Sequence, residues 1–454
     1  IRDRPYDVVL GTFVGDWRDA ADIYKRWAAR QPWCATKVSQ RDSIPKFLKE
    51  GSALLCVPLR HEKPEYALYP FEDVARLPQI AAAYREHTQL PHIGFAPFGW
   101  ENRGAWAGIN YFPAVPSSEA WQRVSAALHQ QGDYVFMLPS GFSWVVKRKE
   151  TRSGPAFDDT VDFERRKEMT VHNANGRPWS VDDYEAATTW RGLSVKLCHG
   201  SAAARETALK IFLDIARLGT SFVQFDQEIG GGQAIPCYSK THGHPPGFGN
   251  WMWTDFRSLS EEILKQGKSV RPDFGLSLEG CSELAIPYMA TIWGRQGPEV
   301  GQGRGVGLFS YLYHEYIPVL GDGYSTGQGM LYTWGSAELR CYRLANTLAR
   351  GLVPTVYMEQ VSLESSDEWV RTVSQAFLSY CRPYPRFREY LLEGITRRPP
   401  KVDCAEQDLW HWQADEQGEK LADGRRARKV TIRRPTVVAG SFEAEDGSLG
   451  TIIV

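Results

Sequence analysis

No apolar run in the 454 residues approaches the roughly 20 needed to span a bilayer, which excludes a transmembrane bundle. An excess of either charge is missing as well: 53 Lys and Arg stand against 54 Asp and Glu, a net of −1. So balanced a chain has no global electrostatic pull toward nucleic acid or an anionic membrane, and neither is expected as a partner. None of the eight cysteines (Cys34, Cys56, Cys198, Cys237, Cys281, Cys341, Cys381, Cys404) forms a CxxC pair, so zinc-ribbon and thioredoxin-like readings fail. No GxGxxG opens a helix, although Gly230-Gly231-Gly232 follows a strand-like segment, and there is no Walker loop. Ser140-Gly141 lacks the GxSxG elbow of a serine hydrolase, and Cys237 has a histidine nearby but no context of a thiol nucleophile. No cofactor is implied, and no metal is assigned. Neither an initiator Met nor a signal-peptide pattern opens the chain. IRDRPYDVVLGTFVGDW reads as an extended segment already in mid-fold and GTIIV as a closing strand, so both ends are expected to be cut from a longer chain.

What is present is ordinary in bulk: 43% hydrophobic and 24% charged residues, as in a soluble globular protein. The length suits about three domains, or one α/β barrel with appendages. The 16 Trp, 20 Tyr and 20 Phe are the informative bias. They fit either a large aromatic core or flat platforms at a polar cleft of the kind that sugars use.

Along the chain, short apolar runs alternate with amphipathic stretches. Residues 16–33 (DWRDAADIYKRWAARQPW) predict a helix, with Ala20, Ile23, Tyr24 and Trp27 on one stripe and Pro32 at its end. Strands are expected at 53–59, 92–100, 134–138, 221–226, 274–278, 305–313 and 352–357, with an eighth at 317–320. Helices are expected at 71–87, 117–131, 201–218, 253–266, 335–350 and 367–380. This alternation predicts βαβ units and a parallel sheet, and eight repeats over about 340 residues fit a (β/α)8 TIM barrel better than an open sheet. A polar stretch at 147–190 interrupts the rhythm and reads as an insertion after strand 3, over one end of the fold. The predicted organisation is a lead-in at 1–50, a barrel at 51–392 and, from 393, an antiparallel β-sandwich-like module with an Asp446-Gly447 turn.

In such a barrel the catalytic groups stand at the C-terminal ends of the strands. Those positions carry Trp100 and Glu101 after the second strand, Asp226, Gln227 and Glu228 after the fourth, Glu279 and then Glu283 after the fifth, and Tyr313, His314 and Glu315 at the expected sixth. A carboxylate after a strand is often a helix cap or a loop ion pair. Asp226 and Glu279, however, end neighbouring strands, and two carboxylates facing each other across a cleft can break a glycosidic bond. His242-Gly243-His244 places two imidazoles on one side of an extended segment. With Asp226 or Glu228 they have the spacing of a two-His-one-carboxylate metal site; they can equally contact sugar hydroxyls, with Trp251 beside them.

The segments GDWRDAADIYKRWA, FVQFDQEIGG, CY followed by HGHPPGFGNW, LSLEGCSE and YLYHEY, spread over residues 11–357, resemble bacterial TIM-barrel glycoside hydrolases. The group is the broad one containing the endo-α-N-acetylgalactosaminidases and the α-galactosidase/α-glucosidase clan. The chain resembles more closely a bacterial glycosidase-like barrel family known mainly as a domain of unknown function. The resemblance implies β-sandwiches before and after the barrel, a carbohydrate substrate and, since such enzymes are often exported, a secreted or periplasmic location. It implies an Asp nucleophile after the fourth strand, matched by Asp226, and an acid/base from a later strand, best matched by Glu279. The clan uses an Asp after the sixth strand, where this chain is expected to carry His314-Glu315. The expected activity is retaining glycoside hydrolysis, with Trp100, Glu101, Glu228, His242, His244, Trp251, Glu283, Tyr313, His314 and Glu315 as substrate contacts. A metal-dependent hydrolase using the His-Gly-His loop and a non-catalytic carbohydrate-binding barrel are the alternatives.

Overall fold

The structure, a computed structural model, describes residues 8–454 apart from 60–70, 72, 105–107, 140–141, 151–154, 182–192, 229, 295–305, 322–334 and 421–425. Eight parallel strands form one sheet: β1 (Ser52–Pro58), β2 (His92–Phe98), β3 (Tyr134–Met137), β4 (Phe222–Phe225), β5 (Gly275–Glu279), β6 (Thr291–Trp293), β7 (Val319–Leu320) and β8 (Thr355–Tyr357). The strands run in the order 7-6-5-4-3-2-1-8, and a parallel bridge from Leu320 to Val353 brings the two edges together as a barrel. The expected (β/α)8 fold is thus the one observed.

Two strand expectations need correction. Residues 308–313 form a helix (Leu308–Tyr313), and the sixth strand is Thr291–Trp293. The three buried residues of β6 follow β5 with no intervening helix and so fall outside the strand–helix rhythm. LFSYLY is apolar on nearly every side, so its periodicity does not separate a buried strand from a buried helix. His314 and Glu315 therefore precede β7 instead of ending a strand.

Helices cover the outside: α1 (Trp17–Ala28), α2 (Leu77–Thr88), α3 (Ser118–Gln130), α4 (Ala202–Arg217), α5 (Trp251–Val270), α6 (Leu308–Tyr313), α7 (Ala337–Ala349) and α8 (Glu368–Cys381). Their starts follow capping chemistry: the side chains of Asp16, Ser117, Ser201, Ser336 and Asp367 each accept a hydrogen bond from a first-turn amide. Between β5 and β6 the connection holds only a 3-10 turn, Glu283–Ala285. The lead-in helix α1 packs there against α6, with Trp17 edge-on to Tyr311 at 5.3 Å.

Strand alternation divides the side chains. Leu55, Phe95, Val135, Val223, Phe225, Leu276 and Leu278 join the core under the helices. Leu54, Cys56, Ala96, Phe98, Tyr134, Phe136, Phe222 and Trp293 face the lumen. The lead-in closes the lumen from the N-terminal side of the strands with Val38, Ile44, Phe47 and Leu48. Phe47 stacks on Tyr134 at 4.0 Å, and the Arg41 guanidinium holds the carbonyls of Tyr316 and Met289 at 2.9 and 2.6 Å. Large and small residues interlock in the lumen: a Cβ on Gly94 would stand 2.2 Å from the Tyr134 ring.

The insertion after β3 forms short antiparallel ladders, in which Ser194–Lys196 pairs with Ser143–Val145 and Ser180–Val181. Beyond the barrel, Ile395–Arg397, Ala439–Glu443 and Leu449–Ile453 form a three-stranded antiparallel sheet, and Glu406–Lys420 pairs with Arg426–Pro435 in a hairpin. Both dock on α7: Leu339 packs on Leu409 and Ile432, and a Cβ on Gly440 would stand 1.8 Å from the Ala349 carbonyl.

Candidate active site

Alternation continues past the apolar layers of β4 and β5. Phe222 faces inward and Val223 outward, so Gln224 and Asp226 point into the lumen. On β5, Leu276 and Leu278 face outward, and Ser277 and Glu279 therefore face inward. The register pairs Phe225 with Leu278, so Asp226 and Glu279 lie at the same height at the C-terminal ends of adjacent strands. Toward that end the lumen passes from aromatic to polar. Phe136 packs against Trp293 at 5.6 Å. Above them the Ser277 hydroxyl donates to Gln224 Oε1 at 3.5 Å, and Gln224 Nε2 donates to Asp226 Oδ1 at 3.1 Å.

Gln227 ties the pair together. Its backbone N–H donates to Glu279 Oε2, and its φ of 63° is a left-handed conformation that non-glycine residues rarely adopt. Such backbone conformations are costly and gather at functional sites. The amide of the Gln227 side chain is screened from solvent with no hydrogen-bond partner among the described residues. Only the residue type of Gln227 was visible in the sequence; its conformation was not.

Glu228 turns away into a charged cluster. Its carboxylate accepts from Lys196 Nζ and, at 3.3 Å, from the Phe142 amide, and it lies 3.4 Å from His199 Nε2. Burial alone raises the Glu228 carboxyl, but Lys196 and His199 outweigh it and the net displacement is downward. Glu228 thus pins the returning strand of the insertion to the loop that carries Asp226.

Trp100 and Glu101 follow β2, as expected. The Trp100 ring is fully buried and stacks on Tyr111 at 5.7 Å, and Glu101 is 2% exposed. The other expected contacts stand elsewhere. Glu283 accepts hydrogen bonds from the hydroxyls of Tyr24 and Tyr313, and so joins α1 to α6 on the outer wall. His314 is buried on the N-terminal side of β7, its ring nitrogens 2.6 and 3.0 Å from the carbonyls of Gly394 and Leu391. Glu315 lies 4.0 Å from Lys25 Nζ. Position in the fold explains these four: they belong to the packing of α1 and the base of the barrel.

The His-Gly-His loop also has different company. Asp226 and Glu228 are not its partners. His244 Nε2 is 3.2 Å from Cys198 Sγ, and His242 Nδ1 is 3.5 Å from Cys237 Sγ. The other ring nitrogens face the carbonyls of Pro245 at 2.9 Å and Glu168 at 2.6 Å. Trp251 is buried and stacked on His244 at 3.5 Å. With all four ring nitrogens engaged in this way, the alternative two-His-one-carboxylate site is not assembled.

One further carboxyl stands at the C-terminal end of the barrel. Glu359 is two residues beyond β8, and burial pushes it up to about 8. The Cys56 thiol in the lumen lies within electrostatic reach of both Glu359 and Arg340, a buried arginine in the first turns of α7. The signal for Glu359 was local and readable, since TVYMEQ sets a Glu just past an apolar strand in the same way as LSLEG.

Residues 3–324 match the family described as "Domain of unknown function (DUF6259)". The chain belongs to this family. It is 21% identical over 314 residues to a Bacteroides thetaiotaomicron protein named "Putative glycoside hydrolase"; the match covers 68% of this chain and 41% of that protein. Among solved structures it resembles the α-N-acetylgalactosaminidase NagBb from Bifidobacterium bifidum in its GalNAc complex, with a TM-score of 0.58 and 13% identity over 96% of this chain and 63% of that one. It also resembles the debranching enzyme of Nostoc punctiforme, with a TM-score of 0.54 and 10% identity over 89% of this chain and 91% of that one. The fold is therefore shared with glycoside hydrolase barrels. The chain spans about two fifths of the Bacteroides relative and under two thirds of the Bifidobacterium enzyme.

Proposed function

We propose that this family member is a retaining glycoside hydrolase, with Asp226 as nucleophile and Glu279 as acid/base. The observation that carries the reading is the pair itself: two buried carboxylates at one level on adjacent strand ends, one of them held by the amide that follows the other. Asp226 attacks the anomeric carbon while Glu279 gives its proton to the leaving oxygen. Water then attacks the glycosyl-Asp226 ester as Glu279 takes its proton back, and the Asp226 carboxylate leaves. Gln224 orients Asp226, and the Gln227 side-chain amide supplies donors and an acceptor for sugar hydroxyls. The substrate is an oligosaccharide, polysaccharide or glycoconjugate. The activity of the Bifidobacterium structure makes an aryl α-N-acetylgalactosaminide the first member of a glycoside panel to try.

The test is a pair of variants on aryl glycosides of graded leaving groups. Asp226→Asn is expected to lower kcat by on the order of 10⁴ or more with every leaving group. Glu279→Gln is expected to slow poor leaving groups severely and activated ones far less, because only the former need a proton. If that dependence appears instead in Glu359→Gln while Glu279→Gln stays near wild type, the acid/base assignment fails.

A further inference from the structure

Outside the carboxylate pair, four side chains converge on one point. Cys198, Cys237, His242 and His244 each offer a ligand atom, and these four atoms lie within 4.8 Å of one another. Cys198 sits where the insertion returns to α4, and the other three come from the loop between β4 and α5. We propose that they bind one zinc ion as a closed Cys2His2 centre that fastens this loop to the insertion.

Three observations carry the inference. The first is the fixing of the imidazoles. Pro245 and Glu168 present carbonyl oxygens to His244 Nδ1 and His242 Nε2, so those nitrogens carry the hydrogens. The remaining lone pairs, on His244 Nε2 and His242 Nδ1, then face the two sulfurs. This division is the one found in metal-ligating histidines, whose non-ligating N–H donates to a carbonyl or carboxylate. The second is scale. Zn–S near 2.3 Å and Zn–N near 2.0–2.1 Å give a tetrahedron with S···N edges of about 3.5 Å; the two measured here are 3.2 and 3.5 Å. The third is the surround of the sulfurs. The His172 amide donates to Cys237 Sγ at 3.3 Å, and the backbone of Ser239 and of Gly200 hydrogen-bonds to Cys237 and Cys198. Hydrogen bonds of this kind stabilise thiolates.

Space has been made for the approach. A Cβ on Gly200 would stand 2.3 Å from the His244 ring, so only glycine at position 200 admits that imidazole. Two soft and two imidazole ligands in a tetrahedron select zinc among common divalent metals. Four protein ligands leave no open position for water, so the role is structural. Its consequence reaches the site: His199, next to Cys198, lies beside Glu228, two residues beyond Asp226.

The experiment is metal analysis of the intact chain by inductively coupled plasma mass spectrometry, with thiol titration. The expected result is one zinc per chain and no Cys198–Cys237 disulfide. Exchange with cobalt(II) is expected to give thiolate charge-transfer bands and intense tetrahedral d–d bands, and the Cys237→Ser variant to weaken the charge transfer. Zinc removal by a chelator should lower Tm by several degrees, and zinc alone should restore it. A Cys198–Cys237 disulfide, copper or iron in place of zinc, or a metal-free protein whose Tm ignores both zinc and chelator would each overturn the proposal. None of these readouts depends on glycosidase activity, so the centre and the catalytic pair stand or fall separately.

Discussion

Burial holds the Glu359 carboxyl at about 8 in the folded chain, against 4.5 for a free Glu side chain. The folded state therefore keeps its proton where the unfolded state has lost it. The stability that Glu359 contributes is complete below about pH 4.5, and it is lost as pH rises through about 8. Glu359→Gln, which stays neutral throughout, is expected to match wild type in Tm near pH 4 and to exceed it by several degrees at pH 8.5. Thermal melts across that range check this; an equal Tm difference at both ends would contradict it. At the same scale, Gln227 combines a left-handed backbone with an amide that has no partner among the described residues, beside the candidate nucleophile. Gln227→Gly should relieve the backbone cost but remove the proposed sugar contact. A rise in KM severalfold, with Tm unchanged or higher, is the expected result of a kinetic and thermal comparison.

At the scale of elements, the missing helix between β5 and β6 explains much of what the sequence hid. With only the turn Glu283–Ala285 there, α1 and α6 cover the wall, and Glu283, Tyr24 and Tyr313 become the fastening between them. The repeat was legible at β1 to β5 and also at the short β7 and β8, whose apolar runs extend into their flanks. It was not legible at β6, which follows β5 without an intervening helix, nor at α6, where nearly every residue is apolar. Tyr313 looked like a site residue because that strand was misplaced, and Glu283 because it stands just past the end of β5. Glu283→Ala is expected to destabilise the fold by about 1.5–3 kcal/mol, as for a hydrogen bond to a charged group, without changing kcat. Urea unfolding paired with kinetics checks this.

For the whole molecule, the barrel is a graded tube. The lead-in seals one end with Phe47 between Tyr134 and Phe222, and polarity rises through Gln224 and Ser277 to the carboxylates at the other. Phe47→Ala should cost about 3–5 kcal/mol in chemical denaturation, since it opens the sealed end. The carboxylate pair was legible because each member ends its own strand, so a local pattern places it. The Cys2His2 cluster was not, because its fourth member, Cys198, comes from across the insertion and only the fold brings it near His244. The most direct test of the catalytic reading is trapping with an activated fluorinated glycoside of the sugar that the chain cleaves, followed by peptide mass spectrometry. The account predicts one covalent adduct, on the peptide that contains Asp226. An adduct on Glu279 or Glu359 would contradict it.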